Sequence, residues 1–463
     1  MNKKKSANAS RRATITFWGG AGEVTGSNFL LETENLKIIV DCGLFQGCDT
    51  CDDKSRNPFP YDPKAIDYLF VTHAHLDHIG RIPKLVKDGF KGVIYSTSPT
   101  RDLAELALVD SLKILKEEAR RNTQLPLYEK EDVKQTMALW KTISYHEQIS
   151  LGDDLFALLK DAGHILGSSM VLFSRDGKTL VFTGDLGNSP VPLLRDTESI
   201  AGADYLIMES VYGDRVHESK DKRREMLEDV IEETVFRKGV LLIPAFSIER
   251  TQEILFEIEN MMEVKKITFM PVFVDSPLAI QATTVYKRHN DYFNKEVKYI
   301  INSGNELFSF KGLRFIQNVE ESKKIHETLS PKIIIAGSGM SVGGRIVYHE
   351  KLYLSDPHTT ILIVGYQAPK SLGRDLVEGV KKVFIENEEI EVNARIVEIT
   401  GYSSHKDSDA LLQFVEKGAD SLKKVFVVMG EVKSATFLTQ RLRDHIGVNA
   451  TAPRAGESAE INF

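Results

Sequence analysis

The sequence predicts an α/β protein in which one domain is interrupted by a second domain built on parallel strands. Apolar runs of strand length end on His or Asp: Ile38-Ile-Val40 on Asp41, Tyr68-Leu-Phe-Val-Thr72 on His73, and Thr179-Leu-Val-Phe-Thr183 on Gly184-Asp185. Strand ends of that kind are where α/β folds place chemistry. After Glu209, strands alternate with helices of about ten residues or more, the spacing of parallel crossover units. The last strand and helix, Val425-Phe-Val-Val428 and Ser434 to His445, make too short a segment for a separate domain, so they complete one begun earlier. A chain of 463 residues has room for two or three domains.

Taken in order, Ala13 to Trp18 alternates as a strand, Gly19-Gly20-Ala21-Gly22 turns, and Asn28 to Leu31 and Leu36 to Val40 come next as hairpin strands. Thr100 to about Glu147 reads as a helical cover, with Leu103, Leu106, Ala107, Leu112 and Leu115 on a helical period and charges opposite. Beyond Glu209 the pattern predicts helices over Glu225 to Phe236 and Glu249 to Met262. Strands are predicted at Val240 to Ile243, Thr268 to Val274, Lys332 to Ala336 and Thr360 to Val364. No internal repeat or low-complexity segment interrupts this pattern.

Composition excludes several classes. Hydrophobic residues at 42% and charged residues at 27% are the ordinary globular mix, which rules out wholesale disorder and a coiled-coil rod. No apolar run approaches the roughly 18 residues of a membrane-spanning helix, so no membrane partner is expected. With 59 Lys and Arg against 66 Asp and Glu, the net charge of −7 excludes a broadly basic nucleic-acid coat. A local site or a bound metal can still invert the potential where binding happens. The three cysteines, Cys42, Cys48 and Cys51, lie too close together to staple a chain of this length, and a reducing, cytoplasmic setting is expected. The Cys48/Cys51 spacing lacks a second pair and is assigned no function. Lys3, Lys4, Lys5, Arg11 and Arg12 precede no apolar signal core and read as a solvated tail.

The most informative segment is Thr72-His73-Ala74-His75-Leu76-Asp77-His78-Ile79-Gly80, directly after an apolar strand. Four potential ligands on a strand-to-helix turn can face two adjacent metals. Imidazole and carboxylate without thiolate suit Zn²⁺ or a similar divalent ion. His164, in Asp161-Ala-Gly-His-Ile-Leu-Gly-Ser168, and Asp185, in Gly184-Asp-Leu-Gly187, fit as partners, and Asp41 is placed to orient ligands from behind.

This order of motifs resembles the metallo-β-lactamase superfamily: an Asp after an early strand, His-x-His-x-Asp-His, a later His and a later Asp. The resemblance implies an αββα sandwich, with His73, His75 and His164 on one zinc, Asp77 and His78 on a second, and Asp185 between them. From Met208 onward the chain is similar to the β-CASP nuclease branch, which includes ribonuclease J-like and pre-mRNA cleavage endonuclease-like enzymes. The residues concerned are Met208-Glu-Ser-Val-Tyr-Gly213, Pro244 to Glu253, Ala336-Gly-Ser-Gly-Met340 with Gly343-Gly-Arg345, Val364-Gly-Tyr-Gln367 and Gly401-Tyr-Ser-Ser-His405. That likeness implies a catalytic domain over 1–208, an inserted β-CASP domain over 209–390 and a return segment over 391–463.

By the same resemblance a metal-bridging hydroxide attacks RNA, Asp77 belongs to the catalytic group, His405 protonates the leaving oxygen, and Glu209 holds the His405 imidazole. Ser338, Gly339, Ser403, Ser404 and Arg345 are expected to contact flanking phosphates. One position departs from the pattern. Ribonucleases of the branch carry a His where Val427-Val-Met-Gly-Glu431 places Met429, whose soft thioether is a poor zinc ligand, so the second of the two Zn²⁺ sites is expected to fill incompletely. The expectation is therefore a zinc-dependent ribonuclease acting on single-stranded RNA, of endonuclease type with no residue deciding against exonuclease action, and the dimerisation common among members of the branch implies a homodimer. A DNA-directed nuclease, or a weakly active or inactive RNA-binding relative, is the alternative.

Overall fold

The structure, a computed structural model, describes residues 11–463 apart from 49 and 369. The lysines of the expected tail, at positions 3–5, lie outside the described residues. Two seven-stranded sheets face each other. The first runs, edge to edge, through Ser458–Asn462, Arg12–Gly19, Asn28–Glu32, Lys37–Val40, Tyr68–Phe70, Val93–Ser96 and Trp140–Thr142. The second runs through Ala450–Thr451, Lys424–Val427, Tyr205–Met208, Lys178–Phe182, Ser169–Arg175, Leu155–Asp161 and Ile149–Gly152.

Alternation along these strands sorts their side chains into layers. Phe17, Leu31, Val40 and Phe70 meet Phe173, Phe182, Ile207 and Phe426 between the sheets. The residues next in register point outward. Leu206, Val181 and Val425 pack on Leu411, Phe414 and Leu438, which belong to the helices Ser408–Glu416 and Val432–Arg441. Ile39, Leu69 and Val71 pack on helical Leu85, Leu103 and Leu108. The result is a helix–sheet–sheet–helix stack.

Between Met208 and Lys424 the chain builds a third sheet of six strands, ordered Leu313–Phe315, Val272–Asp275, Lys332–Ala336, Val240–Pro244, Thr360–Ile363 and Arg395–Glu398. Every pairing in it is parallel. Its strands are apolar on both faces, with Leu241 and Ile243 in one core and Val240 and Leu242 in the other, as a sheet covered on both sides requires.

Several predicted elements move. The helical reading of Thr100 to Glu147 resolves into Ser98–Arg121 and Lys130–Leu139, followed by the edge strand Trp140–Thr142. That strand is too short to show alternation, and it is anchored by the Trp140 indole donating to Ser96 Oγ at 2.9 Å. The Thr268 to Val274 strand begins only at Val272, after Pro271, which has no N–H to pair. The helix expected from Glu249 begins at Arg250, because Glu249 itself has φ +72. The last helix ends at Arg441 and passes into one wider turn over Leu442–Ile446. Cys48 and Cys51, given no role from sequence, are joined in a disulfide, while burial pushes the Cys42 thiol up to about 12. No helix among the described residues is long and apolar enough to cross a membrane.

The inserted domain carries one buried acid with a stability signature. Glu350 is fully buried, accepts from the Ser341 hydroxyl through Oε1, and its Oε2 has no hydrogen-bond partner. Burial raises its carboxyl to about 8. A folded-state value above the unfolded one means that stability is retained at low pH and lost as pH rises towards 8, by about 1.4 kcal/mol per pH unit at most. Glu350→Gln is accordingly expected to flatten the fall in thermal midpoint between pH 5 and 8. Parallel falls in wild type and variant would contradict this.

Candidate metal centre

The three segments carrying potential ligands arrive at one end of the facing sheets. His73 follows Tyr68–Phe70, His75 precedes the short helix Leu76–Ile79 that carries Asp77 and His78, His164 sits in the turn after Leu155–Asp161, and Asp185 follows Lys178–Phe182. Glycine permits the closest approach. A Cβ at Gly187 would lie 1.7 Å from the Gly163 carbonyl oxygen, so the turn bearing Asp185 reaches the turn bearing His164 only without a side chain there.

Ligand-type atoms converge in three overlapping groups: His73, His75, His164 and Asp185; Asp77, His78 and Asp185; and Asp185, Glu209 and His405. In each group the atoms lie within 4.8 Å of one another. His75 Nδ1 is 3.1 Å from His73 Nε2 and 3.2 Å from His164 Nε2. Asp185 Oδ2 lies 3.4 Å from His73 Nε2 and 3.6 Å from His164 Nε2, and its Oδ1 lies 3.4 Å from His78 Nε2. Asp185 is thus common to both ligand sets.

Hydrogen bonds behind the rings fix which nitrogen faces inward. His164 Nδ1–H donates to the Ser404 carbonyl at 3.0 Å, and His78 Nδ1–H donates to Asp41 Oδ2 at 2.7 Å. The Thr72 hydroxyl donates to Asp41 and accepts from His73 Nδ1–H. Each Nε2 then presents a lone pair to the centre. His78 Nε2 and Asp185 Oδ1 are buried without a hydrogen-bond partner. Lone pairs and carboxylates crowded together in a dry site repel one another unless a cation lies between them, so these residues fit divalent metal ions.

The electrostatics agree. Burial holds His75 down to about 3 and His73 and His164 well below the usual imidazole range, leaving them neutral as ligands must be. His78 goes the other way: against the effect of burial, Asp185, Asp41 and Asp77 hold it well above that range, a measure of how strongly this corner draws positive charge. Asp77 is raised to about 6 by burial. Asp41, with φ +59, receives Ser27, Thr72 and His78 and is the orienting residue behind the turn.

His405 and Glu209 form the outer edge of the same centre. Glu209 is buried and receives the Leu186 N–H at 2.5 Å and the Val211 N–H at 3.4 Å. His405 Nδ1 lies 3.3 Å from Glu209 and 3.9 Å from Asp185. Burial opposes the imidazolium, but the charge and hydrogen bond of Glu209 outweigh it and lift His405 to about 9. Lys406, unremarked in the sequence, locks this loop to the Asp185 turn by donating to the Gly187 carbonyl at 2.6 Å.

The residues expected at phosphate fare differently. Ser403 Oγ accepts the His405 N–H at 3.3 Å, and Ser404 contributes its carbonyl to His164, so both lie at the centre. Ser338 and Gly339 lie beyond the Lys332–Ala336 strand end in the inserted domain, where Ser338 N–H already donates to the Gly343 carbonyl. Arg345 donates to Asp275 and to the Ile316 and Gln317 carbonyls. Met429 is buried, its sulfur packed over Gly20.

A four-layer α/β frame with two overlapping His/Asp ligand sets at one end defines a metallohydrolase. Models of known families match along the chain: a metallo-beta-lactamase superfamily domain over residues 30–198, a Beta-Casp domain over 251–376, and a Zn-dependent metallo-hydrolase RNA specificity domain over 389–453. The chain belongs to the β-CASP nuclease branch of the metallo-β-lactamase superfamily, and with that fold goes divalent-metal binding. It is 35% identical to Ribonuclease TTHA0252 of Thermus thermophilus over 96% of this chain and 100% of that one. It is 33% identical to an RNase J-like protein of Methanocaldococcus jannaschii, over 90% and 92% of the two chains. With the transcription termination factor FttA of Thermococcus kodakarensis it shares 32% identity over 97% of this chain and 72% of that one. A solved protein of unknown function from Enterococcus faecalis shares the fold, with a TM-score of 0.55 at 11% identity over 97% of this chain and 100% of that one.

Proposed function

We propose that the protein is a zinc-dependent ribonuclease that hydrolyses phosphodiester bonds of single-stranded RNA as an endonuclease. The observation that carries the reading is the convergence of two His/Asp ligand sets on Asp185 with the His405–Glu209 pair at their edge. The nitrogen and oxygen ligand set, without thiolate, supports zinc. Full-length similarity to a protein named as a ribonuclease, and the RNA specificity domain match, support RNA.

His73, His75 and His164 on one side and Asp77 and His78 on the other, with Asp185 shared, would hold two zinc ions, which would supply Lewis acidity and an acidified water. The chain's own residues do the rest. Glu209 accepts the Nδ1–H of the His405 imidazolium, which leaves Nε2–H to deliver its proton to the departing 3′ oxygen. The Ser404 and Gly339 N–H groups, with the Ser403 and Ser338 hydroxyls, hold flanking phosphates.

A DNA-directed nuclease is the second reading, favoured by Met429 at the position where ribonucleases of the branch carry His. End-labelled single-stranded RNA and DNA of one sequence, incubated in parallel with the zinc-loaded protein, separate the two. Internal cleavage of RNA at least about 10-fold faster than of DNA is expected, because the 2′-hydroxyl is the group by which a protein tells RNA from DNA. Equal or faster DNA cleavage would overturn the assignment to RNA.

A further inference from the structure

The turn that carries His164 is gripped from both domains. From its own domain, the hydroxyls of Thr97 and Thr100 donate to the Gly167 carbonyl at 2.7 and 2.8 Å, and Ser168 Oγ accepts the His164 N–H at 2.9 Å. From the inserted domain comes Tyr286, in the helix Pro277–Arg288. Its hydroxyl accepts the buried Leu166 N–H at 3.3 Å and in turn donates to Glu249. Tyr286 and Glu249 are both buried, so water does not substitute for either contact. The chain after the same helix makes a second tie between the domains: His289 and the helix's own Arg288 pair with Asp102, at 2.9 and 3.2 Å, on the helix Ser98–Arg121.

We propose that Tyr286, backed by Glu249, is a positioning residue for His164, so that the His73/His75/His164 metal position depends on this one contact from the inserted domain. The inference rests on the reading of those three histidines as zinc ligands. Without the tyrosine oxygen the Leu166 N–H is left buried and unpaired, and the turn relieves that cost by shifting. His164 lies two residues away in the same tight turn and shifts with it. Groups that orient a ligand from behind commonly change metal affinity by about 10–100-fold.

The test is the rate of zinc release into a chelator from the zinc-loaded full chain, read for each of two ions per chain alongside the thermal midpoint. Tyr286→Phe is expected to speed release of one zinc by about 10-fold and leave the other unchanged. Asp102→Asn, which loosens the second tie without touching the His164 turn, is expected to leave both rates as they are. Unchanged release from Tyr286→Phe, or equal acceleration by Asp102→Asn, would overturn the proposal. His164→Ala separates the premise from the inference: if that variant still holds both ions as tightly as wild type, the ligand reading fails instead. Should Tyr286→Phe not fold, Glu249→Gln takes its place, with release of one zinc about 3-fold faster expected and an unchanged rate counting against the idea.

Discussion

Asp185→Asn is expected to lower RNA cleavage by more than about 10³-fold and to reduce bound zinc below one ion per chain. One carboxylate serves both ligand sets, Oδ2 towards His73 and His164 and Oδ1 towards His78. Asparagine keeps the shape but offers a single neutral acceptor, so it cannot satisfy both sides. The same change removes the only carboxylate in the group with His73, His75 and His164. Metal analysis of the purified variant, together with single-turnover cleavage, gives the answer. Two retained ions with near-normal cleavage would show that Asp185 is not shared.

His405→Ala should behave differently: zinc content stays at the wild-type value while cleavage falls by about 10²–10⁴-fold, the usual contribution of a positioned proton donor. His405 touches Asp185 only at 3.9 Å and Glu209 at 3.3 Å, so its loss leaves both ligand sets intact. A substrate whose 3′ leaving oxygen is replaced by sulfur needs no proton to depart, and on it the variant should recover most of the lost rate. An equal deficit on both substrates would assign His405 to binding or structure instead of proton delivery.

The ligand turn was legible in the sequence because its chemistry is local. His73, His75, Asp77 and His78 lie within six positions after an apolar strand, and residue type alone declares them. The partners that orient them are of two kinds. Asp41 was legible as a side chain at a strand end; the carbonyl of Ser404 was not, because a backbone oxygen belongs to every residue and only the fold aims it at His164. The partners of Arg345 were hidden for a different reason. Its glycine neighbours suggested a loop reaching for phosphate, whereas its carboxylate partner Asp275 lies far back in the chain at another strand end. Tyr286 gave no signal at all, since a tyrosine on an amphipathic helix reads as core and its hydroxyl crosses a domain boundary visible only in three dimensions. Likewise Ser458–Asn462 is a strand because Arg12–Gly19 offers it an edge, not because its own residues favour one.

The pairing of Tyr205–Met208 with Lys424–Val427 has a consequence for how the molecule comes into being. A ribosome delivers the first of these strands long before the second, and in that interval Leu206 and Met208 have no neighbour on one side and no helix above them. The nascent sheet therefore carries an open hydrogen-bonding edge through the synthesis of the entire insert, the kind of edge that recruits other chains. His405 emerges during the same late stretch. Any truncation ahead of Lys424 freezes the chain in that unfinished condition, with the closing strand missing and the seam exposed.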